Sequence, residues 1–189
     1  MPKYIDEEKL FLEVVRSIGE VGIGKTTTKQ IAQSAGVNEV TLFRKFGTKL
    51  GLIEAAFQHI VAASPLQELR YSGDLEADLN QIVNAYQETS FLYGEVIPII
   101  LSEVPRDPEM RALLAPFLSV VGSITKIILE YQRNGLLISE PGFSAVSALL
   151  GPIIIRRMLQ RAAPDFEGEK LDDRIYVQSF LEGRKQVKK

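Results

Sequence analysis

Residues 26–46 constrain the fold more than any other part of this chain, because they predict two short helices joined by a tight turn. Ala32 and Ala35 share one face of the first helix, and their small side chains let a second helix cross closely. Gly36 stands where the turn needs a positive φ, which glycine adopts without a Cβ penalty. Asn38 is a favoured N-cap for the second helix. This pattern is typical of a helix–turn–helix, whose second helix fits the major groove of duplex DNA.

The second helix of this motif is predicted to have one buried and one exposed side. At about 100° per residue, Leu42 and Phe46 fall together on the inner side. The outer side, named the reading face, carries Val40, Thr41, Arg44 and Lys45. We expect the reading face to lie against DNA.

A second motif overlaps this region and indicates a different function. Residues 19–26 match the phosphate-binding pattern G-x-x-x-x-G-K-[ST] letter for letter. That loop requires a buried β-strand before it and a helix after it, whereas residues 10–18 follow a helical rhythm of apolar positions. The glycines are therefore interpreted as ending the first helix. Two alternatives stay open: a P-loop-like nucleotide-binding enzyme using Gly19–Thr26, and a helical protein-interaction module without DNA affinity.

Composition argues against catalysis and against metal chemistry. The chain has no cysteine and a single histidine, His59, so neither a thiolate nor a histidine-based metal site can be assembled. No nucleophile–base pair is evident either. We therefore expect that the chain is not an enzyme and binds no cofactor. The first residues lack the apolar core of a signal peptide, and the longest uncharged apolar run, 141–155, is too short to span a bilayer. We therefore expect a cytoplasmic protein without a membrane partner.

The charge distribution favours a nucleic-acid partner although the formal net charge is −2. Residues 25–49 contain five basic side chains and only one acidic side chain, Glu39. The first 63 residues carry eight basic and seven acidic side chains, and the remainder carries fourteen against seventeen. A small basic patch on an acidic body is compatible with a DNA-binding protein. The alternative is an ordinary solvated charged face.

The whole chain is predicted to be all-α, with about nine helices in two domains. Residues 1–63 are predicted to form the helix–turn–helix domain, and residues 64–189 are predicted to form a second helical domain. A helix over 143–159 is apolar on nearly every side, so one side can face its own core and the other a partner subunit. The predicted homodimer interface comprises Leu149, Leu150, Ile153, Ile154, Arg157 and Phe180. A helix central to a monomer is the alternative.

With these elements in order, the chain resembles the tetracycline-repressor (TetR) family of transcription regulators. The similarity covers about the first 60 residues and rests on short motifs that occur in the family's order. They are Val21-Gly22-Ile23, Thr26-Thr27, Ile31-Ala32, Ala35-Gly36-Val37, Thr41-Leu42-Phe43, Phe46 and Lys49. The second half shares only the helical layout and an apolar Leu-Gly-Pro helix. The resemblance implies a ligand-responsive repressor that binds a pseudo-palindromic operator as a dimer. It does not indicate the operator sequence, the identity of the effector, or whether the protein represses or activates transcription.

The resemblance also implies which residues contact double-stranded DNA. These are Thr27, Thr28, Lys29, Asn38, Glu39, Val40, Thr41, Phe43, Arg44, Lys45 and Lys49. Arg44 is the best candidate for a guanine contact, and Lys49 would clamp a phosphate. Phe43 departs from the family, which usually has Tyr there, so one phosphate hydrogen bond is lost. Glu39 either accepts from a cytosine amine or merely favours the helix N-terminus.

A small-molecule effector pocket is predicted in the second half. Pro98, Pro116 and Pro152 lie inside apolar helical segments, where proline kinks or breaks a helix. Such defects beside aromatic side chains would leave a cavity between helices. The candidate lining residues are Tyr86, Phe91, Tyr93, Phe117 and Tyr131. The alternative is that the prolines mark helix starts and the aromatics are ordinary core.

Overall fold

The computed structural model describes residues 5–94, 96–105, 107–163, 165 and 172–184. Across these ranges the chain is helical without a β-strand, which confirms the all-α prediction. The helices are α1 (Glu7–Lys25), α2 (Thr28–Ala35), α3 (Glu39–Phe46), α4 (Lys49–Ala63), α5 (Leu75–Tyr93), α6 (Val96–Glu103), α7 (Ala115–Arg133), α8 (Gly142–Ala162) and α9 (Asp173–Glu182). Two 3₁₀ helices, Pro65–Gln67 and Pro108–Leu114, lie between them.

Helix α1 is longer than predicted and contains the segment that resembles a phosphate-binding loop. Its start is capped by Asp6, whose side chain accepts from the Lys9 backbone N–H at 3.1 Å. Gly22 interrupts the helix with φ 82° and ψ 165°, but helical structure resumes and continues to Lys25. Helix therefore precedes Gly19 and continues, apart from the interruption at Gly22, to Lys25. The nucleotide-binding alternative lacks the strand that its loop geometry requires.

The first compact unit comprises residues within 1–64 and 89–118. Its core is built on α1, where Leu10, Val14 and Ile18 are each 0% exposed. Residues of α2, α3, α4 and α6 complete this buried cluster. The sequence had assigned residues 89–118 to the C-terminal domain, whereas they pack here with the N-terminal helices. The division into DNA-binding and effector domains remains a functional prediction.

The second compact unit comprises residues 65–88 and the described residues from 119 onward. Its buried apolar residues come from α5, α7, α8 and α9. They include Leu79, Ile82, Val83, Ile124, Ile128, Val146, Leu149, Ile153, Val177 and Leu181. Both α5 and α7 contribute residues to each of the two units.

One buried polar network holds the second unit together. Asp78 is 3% exposed and Tyr131 is 0% exposed, and the Tyr131 hydroxyl donates to the Asp78 carboxylate. The same carboxylate accepts from the Ser72 backbone N–H at 2.9 Å and from the Ser72 hydroxyl at 2.6 Å. Three donors therefore satisfy a carboxylate that would otherwise be costly to bury. The network fastens the segment before α5 to α7.

Burial raises the pKa of the Tyr131 hydroxyl above its ordinary value, and the neighbouring Asp78 carboxylate raises it further. The folded chain therefore keeps a proton at a pH where the unfolded chain loses it. This contribution to stability is complete below the ordinary tyrosine pKa of about 10 and is lost as the pH rises above it.

We expect Tyr131→Phe to lower the free energy of unfolding by about 1–3 kcal/mol, because it leaves the buried Asp78 short of a donor. Urea denaturation measures this loss. The difference from wild type should stay constant below about pH 10 and narrow as the pH rises further, since the unfolded wild type then loses the Tyr131 proton that the folded wild type keeps. Tyr71→Phe is the matched control, because it removes a hydroxyl whose hydrogen bond from Asn134 is exposed to solvent. Equal losses in the two variants would contradict the role of the network.

Candidate nucleic-acid interface

Helix α2 begins with a reciprocal cap that fixes its first turn. The Thr27 hydroxyl oxygen accepts from the Gln30 backbone N–H at 3.2 Å, and the Gln30 side chain accepts from the Thr27 backbone N–H at 3.3 Å. Thr27 is exposed. Gln30 was not among the predicted site residues, although the spacing Thr-x-x-Gln is the sequence signal of a capping box.

The turn between α2 and α3 has the geometry that the sequence predicted. Gly36 adopts φ 69° and ψ 30°, in the left-handed region, and the Val37 N–H donates to the Ala32 carbonyl at 2.9 Å. Asn38 then caps α3 by accepting from the Val40 backbone N–H at 2.8 Å. These bonds satisfy terminal groups of both helices and fix the angle at which the chain enters α3.

The structure places the reading face of α3 in solvent. Leu42 is the only residue of this helix that is buried, whereas Val40 is 73% exposed and Phe43 beside the face is 47% exposed. Arg44 and Lys45 are exposed, and Thr41 is half-buried. This side of α3 therefore presents two apolar and two cationic side chains to solvent.

Two of the predicted contact residues are bonded to each other. The buried Thr28 hydroxyl donates to the Glu39 carboxylate at 2.6 Å. This bond joins the first turn of α2 to the first turn of α3. Glu39 also places negative charge at the N-terminus of α3, which is favourable. A direct contact of either side chain with DNA remains a prediction.

Two of the predicted cationic contacts also have partners inside the protein. The Lys49 ammonium donates to the carbonyls of Ile23 and Thr26 at 2.9 and 3.0 Å, and so caps the end of α1. Lys45 forms an ion pair with Glu7. The sequence analysis missed Glu7, because no local pattern links residues that lie 38 positions apart.

The remaining predicted DNA contacts lie on the surface of the first unit. Lys29 and Asn38 are exposed, as is Arg44. Nothing in the described ranges groups enough His, Cys, Asp or Glu side chains to hold a metal ion. The exposed side chains of these two short, capped helices can therefore form hydrogen bonds and ionic contacts.

The predicted effector residues divide between the two units. Phe91, Tyr93 and Phe117 belong to the first unit, and Tyr86 and Tyr131 to the second. Within its own unit Phe91 is 82% exposed, and Tyr131 is fully buried with its hydroxyl on Asp78. A pocket lined by all five remains a prediction.

The predicted dimer residues lie largely inside the second unit. At most 7% of each residue is exposed within the single chain for Leu149, Leu150, Ile153 and Phe180. The Arg157 guanidinium donates to the Gln87 carbonyl at 3.3 Å. Ile154 is half-buried. The exposed large apolar residues of α8 and α9 are instead Phe143, Ile155, Met158, Leu159 and Ile175.

A capped helix, a glycine turn and a second capped helix with an exposed cationic face define a helix–turn–helix protein. Comparison with known proteins agrees with that class. Residues 15–56 match the family described as bacterial regulatory proteins, tetR family. The first part of the chain is therefore similar to the DNA-binding region of tetR-family proteins.

One relative is similar in sequence, and two solved structures are similar in fold. YvkB of Bacillus subtilis (strain 168), named an uncharacterized HTH-type transcriptional regulator, is 34% identical over 113 residues. The match spans 53% of this chain and 59% of YvkB. A transcriptional regulator from Rhodococcus sp. Rha1 has a similar fold, with a TM-score of 0.73, 16% identity and coverage of 97% and 100% of the two chains. For the fatty acid degradation regulator FadR from Bacillus halodurans the TM-score is 0.70, at 15% identity and coverage of 96% and 95%.

Lys49→Met should lower the free energy of unfolding by about 1 kcal/mol, because the terminal carbonyls of α1 lose their charged donor while the apolar stem is kept. Urea denaturation of the whole chain provides the measurement. Lys29→Met removes an exposed lysine from the same unit and serves as the control. If both variants unfold at the wild-type midpoint, the Lys49 bonds do not stabilise α1.

Proposed function

We propose that this chain is a DNA-binding transcriptional regulator whose reading face enters the major groove. The exposure of this face carries the proposal, because Val40, Arg44 and Lys45 stand in solvent on a helix anchored by Leu42. Arg44 is suited to donate two hydrogen bonds to guanine. The Val40 side chain can contact the methyl group of thymine, which is the usual use of an apolar residue there.

Phosphate contacts would come from the rim of the same surface. Thr27 and Lys29 lie in the first turn of α2, whose N-terminus favours an anion. Lys45 can add a third contact if it leaves Glu7. Lys49 is the weakest member of the predicted set, because its donors already serve the carbonyls of α1.

We infer that the regulator works as a homodimer formed through α8 and α9. Only 28% of the apolar stretch in α8 is buried within the chain, and this leaves Phe143, Ile155, Met158 and Leu159 in solvent. By length and composition, Pro108–Arg133 and Gly142–Ala162 would also suffice to cross a membrane. We favour coverage by a second copy in the cytoplasm, because a two-fold dimer matches two half-sites on duplex DNA.

A small-molecule effector completes the proposal. FadR and the flavonoid-responsive regulator FrrA have a similar fold, and their names refer to fatty acid degradation and to flavonoids. An effector acts by binding the DNA-incompetent arrangement better than the competent one. The proposal includes neither a catalytic site nor a cofactor.

Selection of bound sequences from a random duplex pool tests the proposal directly. We expect an enriched pseudo-palindrome whose half-sites lie about one helical turn apart. Recovery of no preferred sequence, together with no affinity for any duplex, would favour the protein-interaction alternative.

Arg44→Ala should weaken binding to the selected site by about 1–3 kcal/mol and relax the preference at one base pair of each half-site. Gel-shift titration of a set of single-base variants measures both effects. Arg16→Ala, which removes an exposed arginine from α1, is the control. A uniform loss over all duplexes would show that Arg44 contacts phosphate and reads no base.

Glu7→Gln should strengthen duplex binding, because it releases Lys45 from a competing carboxylate. The two side chains are 48% and 41% exposed, so we expect a modest gain of about two- to fivefold in affinity. The salt dependence should steepen by up to about 0.9 per protomer. Glu8→Gln removes the adjacent exposed carboxylate and serves as the control. Unchanged affinity in Glu7→Gln would mean that Lys45 makes no contact with DNA.

A further inference from the structure

The second unit contains a cleft that none of the predicted sites includes. It has a volume of about 430 Å³, within the usual range of small-molecule sites. Leu69, Arg70 and Tyr71 form one wall, in the irregular segment before α5. Ser123, Lys126 and Ile127 form the other wall, on α7. All of these residues belong to the second unit.

The aromatic side chain at this cleft is held in place and is nevertheless exposed. The Tyr71 ring packs on the buried Tyr131 ring with centroids 4.7 Å apart, and its hydroxyl accepts from the Asn134 side chain at 2.9 Å. Tyr131 is fixed in turn by Asp78. Despite these contacts Tyr71 remains 41% exposed. A rigid aromatic face that stays in solvent costs little conformational entropy when a planar ligand packs on it.

Each wall of the cleft includes one apolar residue. Leu69 is 3% exposed and Ile127 is 6% exposed, and both line the cleft. Burial of apolar ligand surface against such residues is favourable. The apolar lining residues therefore favour a ligand with a hydrocarbon portion.

The charged groups around the cleft favour an anion. Lys126 is exposed and has no ion-pair partner in the part of the chain that the structure describes. Arg70 donates to the carbonyls of Gln67 and Leu69 at 2.8 and 2.7 Å, which holds its guanidinium at the cleft. The carboxylate in the lining, Glu130, is already paired with Arg133. A ligand carboxylate in the cleft would thus lie near the cations Arg70 and Lys126, while the charge of Glu130 is already paired.

From these observations we propose that the cleft between residues 69–71 and α7 binds an aromatic carboxylate. The planar hydrocarbon portion packs on Tyr71 above Leu69 and Ile127, and the carboxylate lies between Arg70 and Lys126. If the chain is the regulator proposed above, this cleft is the place where its effector binds. That last role rests on the proposed function, whereas ligand binding itself does not.

The test uses 2-naphthoate as the probe and the whole chain without DNA, so its outcome is independent of the regulatory proposal. Isothermal titration measures the affinity for 2-naphthoate, for the uncharged 2-naphthalenemethanol and for decanoate, an acyl anion without a ring. We expect 2-naphthoate to bind more tightly than either comparison compound.

Two variants locate the bound molecule. Ser123→Trp fills the cleft and should abolish 2-naphthoate binding, whereas Lys126→Gln should weaken it by about two- to fivefold. Ser102→Trp is the control for the first change, since Ser102 is also an exposed serine whose hydroxyl donates to a carbonyl of its own helix. Arg174→Gln, on α9, is the control for the loss of one exposed positive charge.

Each outcome of these titrations either supports or overturns the proposed binding site. Tight binding of 2-naphthoate that is lost in Ser123→Trp and retained in Ser102→Trp supports the site. Equal binding of the naphthyl alcohol, or of decanoate, overturns the assignment of ligand class. Undetectable binding, or binding that survives Ser123→Trp in a folded variant, overturns the site itself.

Discussion

The helix–turn–helix depends on the burial of one face of α1. Helices α2 and α3 have eight residues each, and isolated helices of that length are not stable in water. Leu42 is the one buried residue of α3, and Phe46 adds an edge-to-face contact with Phe11 of α1 at 5.9 Å. Because these contacts concentrate on the inner side of α3, its opposite side is free to carry Val40 and the two cations. The same packing that stabilises α3 therefore creates its exposed surface.

Cations near a helix–turn–helix divide between structural and recognition uses, and their positions in the sequence do not separate the two. Lys49 stabilises the end of α1 through two carbonyls, and Lys45 is paired with Glu7. Arg44 and Lys29, which lie among them in sequence, are exposed. For Lys45 the two uses compete, since an ion pair in solvent is weak and a phosphate offers the same charge. The first unit is therefore held together partly by groups that could instead bind DNA.

The sequence predicted local structure well and tertiary pairing poorly. Gly36 and Asn38 were correctly placed because turns and caps depend on neighbours within four residues. The all-α class followed from periodicity alone. By contrast, the Glu7–Lys45 pair and the Thr28–Glu39 bond join residues far apart in sequence, and no period encodes them. The packing of residues 89–118 with the first 64 was missed for the same reason.

The helix predicted over residues 143–159 shows where the periodicity argument ends. An apolar helix must be covered on every side, but the pattern does not say which side its own chain covers. In the structure the second unit buries Leu149, Leu150 and Ile153. These residues, which the sequence predicted to form the dimer interface, therefore already pack in the core of their own chain. The surface that still requires a partner lies at Ile155 and Leu159, which are 56% and 48% exposed. Hydrophobicity in the sequence identifies the helix, and only burial within the chain identifies the face that a second copy can cover.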